Sequence, residues 1–136
     1  MTTLSIVITT YNRAGVLKEL LDSLETQTDL DFQVVVAIDG STDGTGDMLA
    51  GLSPTYDLKW VDTKCADYGL AVARNQGILA ADRRAVVVLD DDSFPDPGFV
   101  AAHKSSARKG VITAGPRHPA DAKTDPRLAW KMQELL

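Results

Sequence analysis

The sequence has little sulfur, little positive charge and no glycine-rich phosphate loop. Cys65 is the single cysteine, so an internal disulfide is excluded, and without a cysteine cluster a zinc site is not expected. A lone, reduced cysteine fits a cytoplasmic protein. Met1-Thr2-Thr3-Leu4 has neither a basic n-region nor a long apolar h-region, so no signal peptide is expected. No apolar run nears the ~20 residues of a membrane helix. Lysine and arginine number 14 against 19 acids, for a net charge of −5. That argues against a general nucleic-acid or anionic-membrane binder. A nucleotide ligand is still allowed, because a local metal can outweigh the global sign. A dinucleotide loop would need G-x-G-x-x-G after the first strand. Thr10-Tyr11-Asn12-Arg13-Ala14-Gly15 stands there instead, and no G-x-x-x-x-G-K-[ST] occurs anywhere. There is no internal repeat and no low-complexity segment.

What is present is an ordinary globular composition. The 136 residues, 44% hydrophobic and 24% charged, suffice for one domain with its own core. Residues 4–10 are rich in β-branched side chains and predict a first strand. Asn12 is a candidate N-cap. Val16, Leu17, Leu20, Leu21 and Leu24 then share one helical face, with Lys18, Glu19, Asp22 and Glu25 opposite. Residues 32–38 predict a second strand whose continuous apolarity suggests cover on both faces. Helices are expected near 46–52, 69–81 and 97–109, the second built on Ala71, Ala73, Ala80 and Ala81 for close packing. Strands are expected at 58–62, 86–89 and 111–114. Residues 116–126 read as loop and 128–136 as a final helix. Alternating strands and helices predict a three-layer α/β/α fold around a mainly parallel, Rossmann-like sheet. Right-handed crossovers put the C-terminal strand ends on one edge, where open α/β sheets bind ligands. Thr9-Thr10-Tyr11, Asp39, Asp62 and Asp90-Asp91-Asp92 are expected there.

Asp90-Asp91-Asp92 is the most informative stretch. Adjacent carboxylates raise one another's pKa unless water or a cation sits among them. Hard divalent ions take one or two carboxylates plus substrate phosphates, so this run predicts a metal–phosphate platform, with an acidic surface turn as the bland alternative. Asp39-Gly40-Ser41-Thr42-Asp43-Gly44 superficially resembles the start of a calcium loop, but Ala50 stands where a bidentate glutamate is required. A turn in which Ser41 or Asp43 caps the next helix is the better reading. His103 and His118 read as plain surface residues.

Four segments together carry a resemblance: Ser5-Ile6-Val7-Ile8-Thr9-Thr10-Tyr11-Asn12-Arg13, Val36-Ala37-Ile38-Asp39-Gly40-Ser41-Thr42-Asp43-Gly44-Thr45, Gly69-Leu70-Ala71-Val72-Ala73-Arg74-Asn75-Gln76-Gly77 and Leu89-Asp90-Asp91-Asp92-Ser93-Phe94-Pro95-Asp96-Pro97. In this order they resemble family 2 glycosyltransferases of the GT-A fold. The resemblance implies a nucleoside-diphosphate-sugar donor, a UDP-sugar in most members, and a divalent metal, Mn²⁺ or Mg²⁺, at a DxD motif. By resemblance, Thr9 and Tyr11 line the base pocket, with Tyr11 packing on the base, and Asp39 accepts a hydrogen bond from a base N–H. Arg74 helps hold the base or diphosphate. Asp90 contacts the ribose or the metal, and Asp92 ligates the metal. Asp91 is the weakest nucleotide-binding candidate, because it is expected to turn away between the other two. Asn75 is expected to be structural. Residues 1–115 are expected to form the donor-binding subdomain. Residues 116–136 would begin an acceptor-side region, incomplete because family domains continue well past the DxD strand. No catalytic base is evident: Glu134 is the only late glutamate, and it carries no motif. An acceptor glycan, lipid or small molecule is implied, and self-association is expected if apolar surface is left bare. Two alternatives stand beside this reading. One is a nucleotide-sugar-binding module without transfer activity. The other is a sugar nucleotidyltransferase, which wants a glycine-rich N-terminal loop that Thr10-Tyr11-Asn12-Arg13 does not supply.

Overall fold

The computed structural model describes residues 2–64 and 69–116. Strand β1 (Leu4–Thr10) leads through α1 (Ala14–Ser23) and a short 3-10 turn (Leu24–Thr26) to β2 (Gln33–Ile38). Next come α2 (Thr45–Ala50), β3 (Asp57–Asp62), α3 (Leu70–Ala80), β4 (Ala85–Asp90) and α4 (Phe99–Ser106). The sheet has the order β3-β2-β1-β4, and its three pairings are all parallel. The predicted α/β/α sandwich is therefore the observed one.

Each sheet face buries what the sequence assigns to it. Ile6 and Ile8 of β1, with Val34, Val36 and Ile38 of β2, meet Leu17, Leu20, Leu21 and Leu24, and also Leu49 and Val100. The apolar stripe of α1 is wholly buried. Each such leucine contributes roughly 1.5–3 kcal/mol of burial. Phe32 stacks on Tyr56 at 4.9 Å, and the Tyr56 hydroxyl donates to the Leu21 carbonyl. Burial among apolar groups pushes that phenol well above its ordinary pKa, with Glu25 and Asp22 adding to the effect.

The opposite face belongs to α3, which touches it through Ala73 and Gly77. These are a single turn apart on one side of the helix. A Cβ on Gly77 would lie 2.6 Å from Val7 Cγ1 and 3.2 Å from Ala37 Cβ. Both neighbours are fully buried, so neither can yield cheaply. At an exposed helix site Gly→Ala gains about 1 kcal/mol; overpacking a core costs roughly 1–3 kcal/mol. Gly77→Ala is therefore expected to lower stability despite its better helix propensity. Urea unfolding checks this, and a raised midpoint would contradict it.

Several expectations are corrected here. Residues 111–114 form no strand, and Ile112 is 99% exposed. Their β-branched composition suits a strand, but a strand also needs a ladder partner to satisfy its backbone. Beyond these expectations, β4 is left partly bare: among the described residues it pairs only with β1, and Val86 and Val88 are 40% and 42% exposed. In register these two pair with Ser5 and Val7, so they share the face of α3 but lie beyond its cover. Helix α4 is shorter than predicted, at Phe99–Ser106. His103 is half-buried edge-on to Phe99 at 4.5 Å, and burial lowers its pKa. Cys65, His118, Glu134 and the predicted final helix lie outside the described residues.

Candidate functional site

The strand order creates one crevice. The chain steps from β1 to β2 to β3 on one side, then returns across β1 to β4. The C-terminal ends of β1 and β4 thus flank a topological switch point, the place where open parallel sheets bind ligands. A cavity of about 250 Å³ lies there, lined by Thr9, Thr10, Tyr11, Arg13, Asp39, Leu70, Asp90, Asp91 and Asp92. Six of the seven nucleotide or metal candidates meet in it: Thr9, Tyr11, Asp39, Asp90, Asp91 and Asp92. Arg74 does not line it. It lies one turn along α3 from Leu70, with its Nε buried and without a hydrogen-bond partner among the described residues. Asp62, at the end of the outer strand β3, is exposed and accepts from the Lys64 N–H. It does not line the crevice.

Asp39 is the most constrained acid in the site. It is 1% exposed, and its own N–H donates to the Thr10 carbonyl at 2.9 Å. Its Oδ2 accepts from the Gly69 N–H at 2.8 Å. Its Oδ1 is buried with no partner among the described residues. A buried carboxylate oxygen left unmatched costs stability, so this atom, without a partner among the described residues, is a candidate acceptor for a ligand donor.

Asp91 does not turn away as expected. It is 6% exposed, its Oδ2 accepts from Thr10 Oγ1 at 3.1 Å, and its Oδ1 lies 3.2 Å from Arg13 Nη1. Strand alternation is what misleads here. Asp90 closes β4 and the chain turns at Asp91 and Asp92, so period two no longer sets direction. Arg13 also reaches Asp92 Oδ2, at 3.7 Å from Nη2. Sequence reasoning placed Thr10 at this edge without giving it a role, and it missed Arg13 and Leu70 as lining residues. The signal for Arg13 was a single cation two positions after Tyr11, set against three acids.

The loops after β1 and β2 are laced together. Asn12 sits in the left-handed region at φ 49°. Its N–H donates to Ser41 Oγ at 2.9 Å, and its Oδ1 accepts from the Thr42 N–H at 2.7 Å. Asn12 is therefore not the cap of α1; Arg13 holds that position without a side-chain bond. Asp43 caps instead, from across the crevice. Its Oδ2 accepts from the Ala14 N–H at 3.0 Å, while its Oδ1 accepts from the Thr45 N–H at 3.2 Å and from the Thr45 hydroxyl. One carboxylate thus caps α1 and opens α2, and Ser41 caps neither. Burial works against ionisation of Asp43, but its bonds from Thr45 and Ala14 outweigh it and hold the carboxyl below its ordinary pKa of 3.8. A depressed acid adds stability above its unfolded pKa and loses it as pH falls through the folded value. Asp43→Ala is expected to cost about 0.5–2 kcal/mol at neutral pH, the usual scale of a lost cap. The gap from the parent should narrow as pH falls from about 5 through the lowered folded pKa. Denaturant unfolding at neutral pH and well below the ordinary carboxylate range checks it.

Among the described residues, no group of three or more His, Cys, Asp or Glu side chains forms a ready metal cage. The available donors are the carboxylates of Asp90 and Asp92 at the crevice. Such a set fits a hard divalent cation that takes one or two protein oxygens and completes its shell from substrate phosphate and water. It does not fit zinc, which favours nitrogen and sulfur. No described helix is long and apolar enough to cross a membrane.

Fold and crevice together define a Rossmann-like α/β protein with an acidic ligand site at its switch point. The sequence matches the family described as glycosyl transferase family 2 over residues 5–132, and the chain belongs to that family. It is 35% identical to chondroitin synthase of Escherichia coli, over 98% of this chain and 20% of that protein. It is 37% identical to validoxylamine A glucosyltransferase of Streptomyces hygroscopicus subsp. jinggangensis, over 85% of this chain and 30% of that one. Among solved structures, the mannosyltransferase PcManGT from Pyrobaculum calidifontis, in complex with GDP-Man and Mn²⁺, superimposes with a TM-score of 0.68. The two are 30% identical, over 81% of this chain and 34% of that one. S. aureus TarS 1-349 in complex with UDP-GlcNAc gives a TM-score of 0.69 at 27% identity, over 76% of this chain and 30% of that one. The chain therefore spans about a fifth to a third of the length of these relatives.

Proposed function

We propose that this chain is the donor-binding part of a glycosyltransferase that takes a nucleoside-diphosphate sugar, a UDP-sugar first, with Mn²⁺ or Mg²⁺. The observation that carries the reading is the buried Oδ1 of Asp39, unmatched among the described residues, in the same cavity as the aspartate run. A uracil or guanine N–H is the kind of donor that would match it. Tyr11, 45% exposed at the cavity wall, offers a ring face for stacking on the base. Thr9 closes the floor beside Asp90, its partner in the β1–β4 register. Asp91, held by Thr10 and Arg13, lines the nucleotide pocket, and the ribose contact falls to Asp90. Arg74, on the same side of α3 as Leu70, approaches the base or diphosphate. Asp90 and Asp92 hold the cation, which when bound offsets the negative charge that builds on the leaving diphosphate. The acceptor belongs to the whole enzyme and is left open.

Calorimetric titration of the chain with UDP and GDP, each with and without Mn²⁺, tests the reading. Saturable, Mn²⁺-dependent binding of a nucleoside diphosphate is expected, with UDP the tighter. Absence of binding by both nucleotides would end it.

A further inference from the structure

Arg13 touches no ligand in the donor reading above, yet it lies among the charges of the site. Its guanidinium makes two unequal ties. Nη1 sits 3.2 Å from Oδ1 of the buried Asp91, and Nη2 sits 3.7 Å from Oδ2 of the more open Asp92. The side chain is also about one-third exposed and lines the cavity. The first tie is reinforced, because Thr10 fixes the other oxygen of Asp91. The backbone that carries Arg13 is braced on both sides, by Asn12 against Ser41 and Thr42 and by Ala14 against Asp43. The cation is thus anchored at the base of the acid cluster while one nitrogen faces the carboxylate offered to a metal.

We propose that Arg13 is a positioning residue that couples metal binding to nucleotide binding. It serves as resident counter-charge to Asp91 and Asp92 before a divalent cation binds, and it turns Nη2 to the diphosphate once that cation takes Asp92. This rests on the donor reading for its nucleotide half and on the ion pairs alone for its metal half. The physical logic is exchange of partners. A guanidinium beside two carboxylates opposes an incoming cation before the nucleotide arrives. The same guanidinium favours an anion after Asp92 has been neutralised, and Arg suits phosphate through its planar fork. Each ligand therefore improves the site for the other, and the coupling is reciprocal.

The test is a thermodynamic cycle on the full chain. The Mn²⁺ Kd with and without saturating UDP, and the UDP Kd at saturating Mn²⁺, are measured for the parent, Arg13→Gln and Arg13→Lys, with unfolding curves alongside. In Arg13→Gln, Mn²⁺ alone should bind at least fivefold tighter, and UDP in the presence of Mn²⁺ at least fivefold weaker. Arg13→Lys keeps the charge without the fork, so Mn²⁺ alone should bind near the parental value, with coupling reduced at least twofold. A role confined to holding the loop would weaken both ligands together and leave coupling unchanged, which would overturn the proposal. If the parent binds Mn²⁺ but neither UDP nor GDP, the donor reading fails. The Mn²⁺-only arm then decides for Arg13, and an unchanged or weaker Kd in Arg13→Gln overturns it. If Arg13→Gln does not fold, the lysine variant decides by its coupling factor, and parental coupling overturns the proposal.

Discussion

Asp92→Asn is expected to weaken Mn²⁺-dependent UDP binding by about 100-fold, near 2.7 kcal/mol. Removing one partner of a desolvated charge pair costs roughly 2–5 kcal/mol. Asp92 is partly open, with its side chain 31% exposed, so the lower part of that range applies. The loss should fall on the metal-dependent part of the affinity alone. Without Mn²⁺ the variant should bind UDP no more weakly than the parent, because the base pocket at Thr9, Tyr11 and Asp39 is built from other strands and the charge lost at Asp92 leaves Arg13 freer for the diphosphate. The fold should also tolerate the change, since Asp91 rather than Asp92 carries the bond to Thr10. Calorimetry with and without the metal separates these outcomes. Full Mn²⁺ dependence surviving in Asp92→Asn would remove this residue from the metal site.

Asp39→Asn should separate binding from stability in opposite directions. The amide keeps an oxygen for the Gly69 N–H but presents an NH₂ where the carboxylate presented its unmatched Oδ1. Against a base N–H that is donor facing donor. UDP affinity is expected to fall about 10- to 100-fold, from a charge-assisted hydrogen bond worth roughly 1.5–3 kcal/mol. The free protein, relieved of a buried carboxylate oxygen without a partner among the described residues, should become more stable by about 1 kcal/mol. A site that stores cost for its ligand behaves this way. Thermal unfolding and titration on the same preparation measure both. Unchanged affinity would assign Asp39 to the fold alone.

Much of this was legible in the chain. The α1 stripe, the two central strands and the parallel α/β order follow from hydrophobic period, which is local information. The candidates at the ends of β1, β2 and β4 were also legible, because a parallel sheet brings its C-terminal ends together whatever the details. Three kinds of feature were not. The failed strand at 111–114 depended on a partner that composition cannot supply. The inward turn of Asp91 depended on where β4 stops. The lacing of Asn12, Ser41, Thr42 and Asp43 depended on two loops meeting at a sequence separation of about thirty residues.

By itself, then, the sequence determined the class of fold, the identity of the acidic run and its four-segment resemblance. Each of these is written in residue types and their spacing. Only the tertiary structure decided that Asp62 stands apart, that Arg74 lies outside the cavity wall, and that Arg13 enters among the acids. The reason is geometric. Spacing fixes which side chains share an element, whereas strand order and loop contacts fix which elements share a space. The charge of this site is balanced between β1's loop and β4's end, neighbours that the chain visits almost eighty residues apart.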